Sequence, residues 1–169
     1  MEWILKRLKD QTRSINIILI LFFLIPESYS QNNDDQSILS GLEITLDLAY
    51  KNEISNSAKI DSLKRYFCRL DMIQNDSTRL RNKFKIINRL VYINADSLEK
   101  KYINKIKDEA LYNDNEYNLA KAYDYLGSFY LKEFVLDSAL YYMNKSEKLF
   151  LKQKDSIYLS YCYTSKAKI

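Results

Sequence analysis

The chain has no histidine, two glycines (Gly41 and Gly127), one proline (Pro26) and two cysteines among its 169 residues. Each scarcity removes something. Without an imidazole there is no Ser-His-Asp or Cys-His arrangement and no mixed Cys/His zinc site. Two glycines cannot build the phosphate-cradling loops of nucleotide-binding proteins. So few turn-forming residues cannot supply the many tight turns of a sandwich or barrel, whereas helices joined by short polar connections need very few. The chain is therefore expected to be all-α, to carry no catalytic centre and to bind no metal or cofactor. The formal net charge is +4 with lysines and acids interspersed, and no run of five or six like charges offers a polyanion a stripe to follow. Cys68 and Cys162 are placed in the first and fourth repeat units, beyond the roughly 7 Å Cα separation that a disulfide tolerates, and read as two separate buried small hydrophobes.

What is present begins with an address. Lys6, Arg7, Lys9 and Arg13 precede an apolar run from Ile15 to Ile25, followed by Pro26 and then Glu27, Ser28, Tyr29 and Ser30. A basic segment, a short apolar segment and small residues before a cleavage point have the layout of a secretory signal. The run is shorter than the roughly 20 apolar residues of a spanning helix. Residues 1–30 are thus expected to be a signal peptide cut after Ser30, with an uncleaved anchor as the alternative and the only expected contact with a membrane. The mature chain would be periplasmic or otherwise in the cell envelope. Residues 31–37 (QNNDDQS) read as a polar lead-in.

The rest repeats. Asp61-Ser62-Leu63, Asp96-Ser97-Leu98 and Asp137-Ser138-Ala139 recur at spacings of 35 and 41 residues. Each is followed by apolar residues at steps of three and four, such as Leu98, Tyr102, Ile106 and Ala110, which is the helix period. The Asp-Ser pairs are read as helix starts whose side-chain oxygens satisfy free first-turn N–H groups, with Asp96 and Glu99 resembling a capping box. Helical stretches of the same period lie between them. The order is an A-helix then a B-helix, three times, plus half a unit, in a domain spanning 38–169 with units at roughly 38–75, 77–113, 118–153 and 156–169. Two helices per 35 to 41 residues mean a solenoid.

Residues 120–153 resemble a tetratricopeptide repeat, a 34-residue helix-turn-helix. Tyr123, Leu126, Gly127, Tyr130, Ala139, Met143 and Ser146 fill the places of its packing signature, while the proline near the unit's end is replaced by Leu151. Ala167 stands forty residues after Gly127 as the small residue of a fourth unit. The resemblance implies a right-handed superhelical array of about three units plus a partial fourth, binding a protein or peptide in an inner groove lined by A-helices. On this chain the groove positions are Lys121, Asp124, Ser128, Leu131 and Lys132. Asp124 and Ser128 stand where the clamp for a peptide's C-terminal carboxylate places lysine and asparagine, so that mode of binding is disfavoured.

The expected function is a protein-interaction scaffold, similar to the exported repeat regions that precede a membrane span and an output domain in some Gram-negative bacterial regulators. The chain stops at Ile169 inside an A-helix that lacks its B-helix, so it is expected to be the front part of a longer protein or a truncated reading frame. A nucleic-acid-binding array of the pentatricopeptide kind and the repeat shell of a glycan-capture protein are the alternatives. The export signal and balanced charge weigh against nucleic acid. Most of the fifteen tyrosines, notably Tyr102, Tyr123, Tyr130 and Tyr142, fall at helix-packing spacings, which favours packing over a stacking platform. Carboxylate pairs such as Asp108/Glu109 and Asp114/Glu116 carry no sign of the desolvation that acid-base chemistry needs.

Overall fold

The computed structural model describes residues 35–51 and 54–169, so the expected signal segment and its cleavage point lie outside the described residues. Seven α-helices follow one another, and no strand occurs among the described residues. They are α1 (Asp35–Leu48), α2 (Asn56–Arg69, extended by a 3-10 turn over Leu70–Met72), α3 (Asp76–Tyr92), α4 (Asp96–Tyr112), α5 (Glu116–Lys132), α6 (Leu136–Gln153) and α7 (Ser156–Lys166). Asp35, Gln36 and Ser37 are the first turn of α1 rather than part of a lead-in.

From α3 onward the helices begin at residues 76, 96, 116, 136 and 156, so a helix and its turn take twenty residues and a hairpin takes forty. The turns explain this regularity. Asn94, Asp114, Phe134 and Lys154 all adopt the left-handed conformation, with φ of 54°, 49°, 58° and 57°. The next residue's N–H reaches five residues back: Ala95 to the Leu90 carbonyl, Asn115 to Ala110, Val135 to Tyr130 and Asp155 to Phe150, at 2.8–3.1 Å. This is the Schellman closure, which satisfies the orphan carbonyls of a helix end and normally employs glycine. Here Asn, Asp, Phe and Lys bear the positive φ, which is how a chain with two glycines closes its turns.

The residue that completes each closure is also the N-cap of the next helix. Asn115 and Asp155 accept bonds from first-turn N–H groups of α5 and α7, as Asn75 does for α3. Ala95 and Val135 precede α4 and α6 without a side-chain cap. The expected capping by the Asp-Ser pairs is therefore corrected. Asp96 and Asp137 lie inside the first turn, and Asp96 bonds to Lys132 instead of to backbone. Asp61 is mid-helix, because Ser55 starts α2 by accepting the Ala58 N–H.

Each helix packs against its sequence neighbours, and α1 also touches α3, and α3 touches α5. Helices α1, α3, α5 and α7 are the A-helices, and α2, α4 and α6 the B-helices. The forty-residue step also aligns the buried faces of α4 and α6. Glu99, Ile103, Ile106 and Ala110 are buried on α4, just as Ala139, Met143, Ser146 and Phe150 are on α6, while Lys105 is exposed. Cys162 is buried between α5 and α7, but Cys68 is exposed on α2, against expectation; both thiols are free. Ala167 caps the exposed end of α7 and sits at no helix crossing.

Two close contacts hold the array tight. Gly127 of α5 lies so near α6 that a Cβ would stand 2.6 Å from Met143 Cγ and 3.3 Å from its backbone nitrogen. Between α3 and α4, the buried Lys83 ammonium holds Glu109 and Asp71, each at 2.5 Å, and Arg79 Nε holds the other Glu109 oxygen at 2.6 Å. Arg79 also bonds Asp76 and, at 2.5 Å, the Ile73 carbonyl, tying the α2–α3 connection to the same cluster.

Gly127→Val is expected to lower stability by about 1–3 kcal/mol through overpacking against Met143. Its gain in helix propensity is only about 0.4 kcal/mol. The shift of the urea midpoint measures the balance. Glu109→Ala leaves Lys83 and Arg79 without their shared partner and is expected to cost about 2–4 kcal/mol. Lys83→Met keeps the Arg79–Glu109 pair and fills similar volume, so equilibrium unfolding should show it to be clearly the milder change.

Candidate interaction face

The A-helices are joined edge to edge by polar rungs. Lys85 of α3 pairs with Glu43 of α1. The Tyr125 hydroxyl on α5 donates to Asn88 Oδ1 on α3 at 2.8 Å. Between α5 and α7, the Cys162 thiol faces Asp124 Oδ1 at 3.9 Å. These rungs set each A-helix beside the next one along.

On α5, residues Lys121, Asp124, Ser128, Leu131 and Lys132 are spaced by three, four, three and one, which places them on one side of the helix. Their environments differ. Ser128 is exposed and Leu131 half-buried. Lys132 is committed elsewhere, since its ammonium bonds Asp96 and Glu99 of α4 at 2.7 Å each. Burial alone would lower the Lys132 pKa, and these two acids more than reverse that. Glu99 is still pushed up, because its own burial outweighs the lysine. This triad binds the end of α5 to the start of α4, so Lys132 is a strut at the margin of the face.

Lys121 and Asp124 are different. Both are half-buried, and among the described residues neither has an opposite charge within ion-pair distance. The Lys121 ammonium sits 4.7 Å from the Phe84 ring centre, 5.5 Å from Tyr158 and 5.8 Å from Tyr117. Those rings belong to α3, α7 and α5, and Tyr117 meets Tyr158 edge-on at 5.8 Å. Cation–π attraction stabilises the ammonium there. Desolvation nevertheless lowers its pKa, Tyr117 opposes that shift, and the nearby Arg81 adds to it. Burial pushes the Asp124 carboxyl up to about 6, with the Cys162 thiol opposing weakly. Burial likewise pushes Tyr125 up to about 12; its ring stacks on Phe84 at 5.0 Å.

The residues of the packing signature lie on the opposite side of α5. Leu126 and Gly127 are buried, and Tyr123 and Tyr130 pack against Tyr142 of α6 at 6.0 and 5.5 Å between ring centres. Ala139, Met143 and Ser146 are fully buried on α6. Arg81, Phe84, Tyr117 and Tyr158 were not among the residues expected from sequence. A forty-residue register finds the first two, because Arg81 and Phe84 stand forty residues before Lys121 and Asp124. Among the described residues, no three Cys, Asp or Glu side chains gather as a metal-holding group, and no helix is long and apolar enough to cross a membrane.

Compared with known proteins, the chain matches no family model, no curated protein and no solved structure.

The Asp124 carboxyl ties the face to pH. Its pKa is raised from 3.8 in the unfolded chain to about 6 in the folded one, so the folded state holds the proton more tightly. Well below pH 3.8 the group is neutral in both states and costs nothing. As pH rises through about 6, ionising the buried carboxyl withdraws stability, and the full cost is present above that. Asp124→Asn is therefore expected to be more stable than the parent by about 1–3 kcal/mol at pH 7.5, with the difference vanishing by about pH 3. Urea unfolding at the two pH values reads the effect; equal differences at both would remove the assignment.

Proposed function

We propose that this chain is a protein-interaction scaffold of the cell envelope. In this reading the hairpins form a right-handed superhelical array of the tetratricopeptide kind, and the face formed by α3, α5 and α7 holds a protein or peptide partner. The observation that carries the reading is the unpaired Lys121 and Asp124 side by side on that face. A half-buried charge without an opposite charge beside it costs stability, and such groups concentrate where something else is bound. The rungs between A-helices support a face long enough for an extended segment. Hairpins stacked on their neighbours provide elongated binding surfaces in solenoids generally. The tetratricopeptide reading rests on the packing around Gly127 and on two-helix units; the forty-residue period is longer than the 34 residues of that repeat. The envelope location rests on the basic-then-apolar N-terminal segment.

Affinity capture from the native envelope fraction tests the docking face. The full chain is compared with Lys121→Glu and with Ser128→Arg, two changes that leave the Lys132–Glu99 strut intact. Loss of one defined partner from both variants, with helical circular dichroism unchanged, is the expected result. Identical recovery by all three proteins would place the partner surface elsewhere.

A further inference from the structure

The forty-residue step sets Arg81 on α3 level with Lys121 on α5. Arg81 is exposed, and among the described residues no acid lies within ion-pair distance of it. Lys121 is half-buried over three rings and likewise has no acid. Elsewhere in the domain Arg79, Lys83, Lys132 and Lys166 each hold a carboxylate, while Lys100 and Lys145 also lie over rings with no acid partner among the described residues. Two cations without an acid at one register on adjacent helices raise the local potential, and an anion between them relieves their mutual repulsion.

We propose that Arg81 and Lys121, above a floor formed by Phe84, Tyr117 and Tyr158, form a subsite for the carboxylate side chain of an acidic peptide segment that also carries aromatic residues. The proposal rests on reading the A-helix face as the docking face, and it names the chemistry of the occupant. Charge complementarity supplies the acid. Arg81 offers a planar fork of donors suited to a carboxylate, while Lys121 is a point charge held in place by its rings. The aromatic part follows from the flanking surface, where Tyr117 and Tyr161 are 41% and 55% exposed beside the half-buried Tyr158. Rings on a bound segment find edge-to-face partners there. Asp124, one turn along from Lys121, has no cation of its own and presents an acceptor to a backbone N–H or hydroxyl of the same segment. It also repels a strand with a charge at every unit, so a nucleic-acid backbone fits this subsite worse than a peptide with spaced acids.

The test is fluorescence anisotropy with a labelled, end-blocked peptide of four Glu-Phe repeats and the full chain. A peptide of four Lys-Phe repeats and an eight-residue oligothymidylate serve as comparisons. The Glu-Phe peptide is expected to bind, with affinity reduced about tenfold by Lys121→Met and by Arg81→Glu. Lys148→Glu on α6 should leave it unchanged. Lys121→Met keeps the stem packed on the rings, so it separates loss of charge from loss of fold, and circular dichroism checks every variant. No binding of the Glu-Phe peptide, an equal loss with Lys148→Glu, or tighter binding of the oligothymidylate overturns the proposal. If the peptide fails while envelope capture still depends on Lys121 and Ser128, the docking face stands and the acidic ligand falls; if both fail, both readings fall.

Discussion

A helix with one apolar stripe has to lay that stripe against something, and in this chain the partners are always near in sequence. Helices α3 to α6 lie against the helix before and the helix after, and the A-helices also touch the next A-helix along. All burial is therefore won from segments within about forty residues. Local partners keep loop-closure costs small and let structure nucleate in one hairpin and spread to the next. The closeness of α5 and α6 at Gly127 shows how tightly the pairing is drawn. The same constraint spreads the core out along the array instead of gathering it round one centre, with a main cluster from Ile38 to Phe129 and a smaller one around Ala120, Phe150 and Cys162.

Charge follows the packing. Antiparallel neighbours bring the last turn of one helix beside the first turn of the one before. Lys132 reaches Asp96 and Glu99, and Lys152 reaches Glu116, each lysine at a helix C-terminus and each acid near an N-terminus, as the helix dipoles favour. These joints account for several of the best-paired charges. Against them, the unpaired Lys121, Arg81 and Asp124 stand out by position. All three lie on A-helices, away from the joints.

Much of the architecture was legible in the sequence, and what was not has identifiable causes. Steps of three and four among Leu80, Phe84, Ile87 and Leu90, or Ala139, Met143, Ser146 and Phe150, announce buried helix faces because burial dictates that spacing. The start of α2 was misread because Asp61-Ser62 looks like a cap while Ser55, six residues earlier, takes the role. Asp96 was misread because closure of the preceding turn by Asn94 and Ala95 leaves it already inside the helix. The true period was hidden by the same error: counting from Asp-Ser pairs mixes a mid-helix residue with first-turn residues, whereas counting from left-handed turn residues returns twenty each time. On the face, helical spacing alone grouped Lys121, Asp124 and Ser128. It could not reveal that Lys132 is spent on Glu99, nor that rings from α3 and α7 converge on Lys121, since those contacts join helices thirty to forty residues apart.

The turn residues have one more implication, for how such a protein changes over generations. Because each closure also begins the following helix, a hairpin carries its own entrance and exit. In-frame duplication or excision of forty residues therefore creates no junction of a new kind. Phe134 is the exception: a bulky aromatic, 86% exposed, in a backbone region where its counterparts are Asn, Asp and Lys. A copied unit would carry that side chain to a new level on the molecule's rim, where selection would act on it separately from the helices it connects.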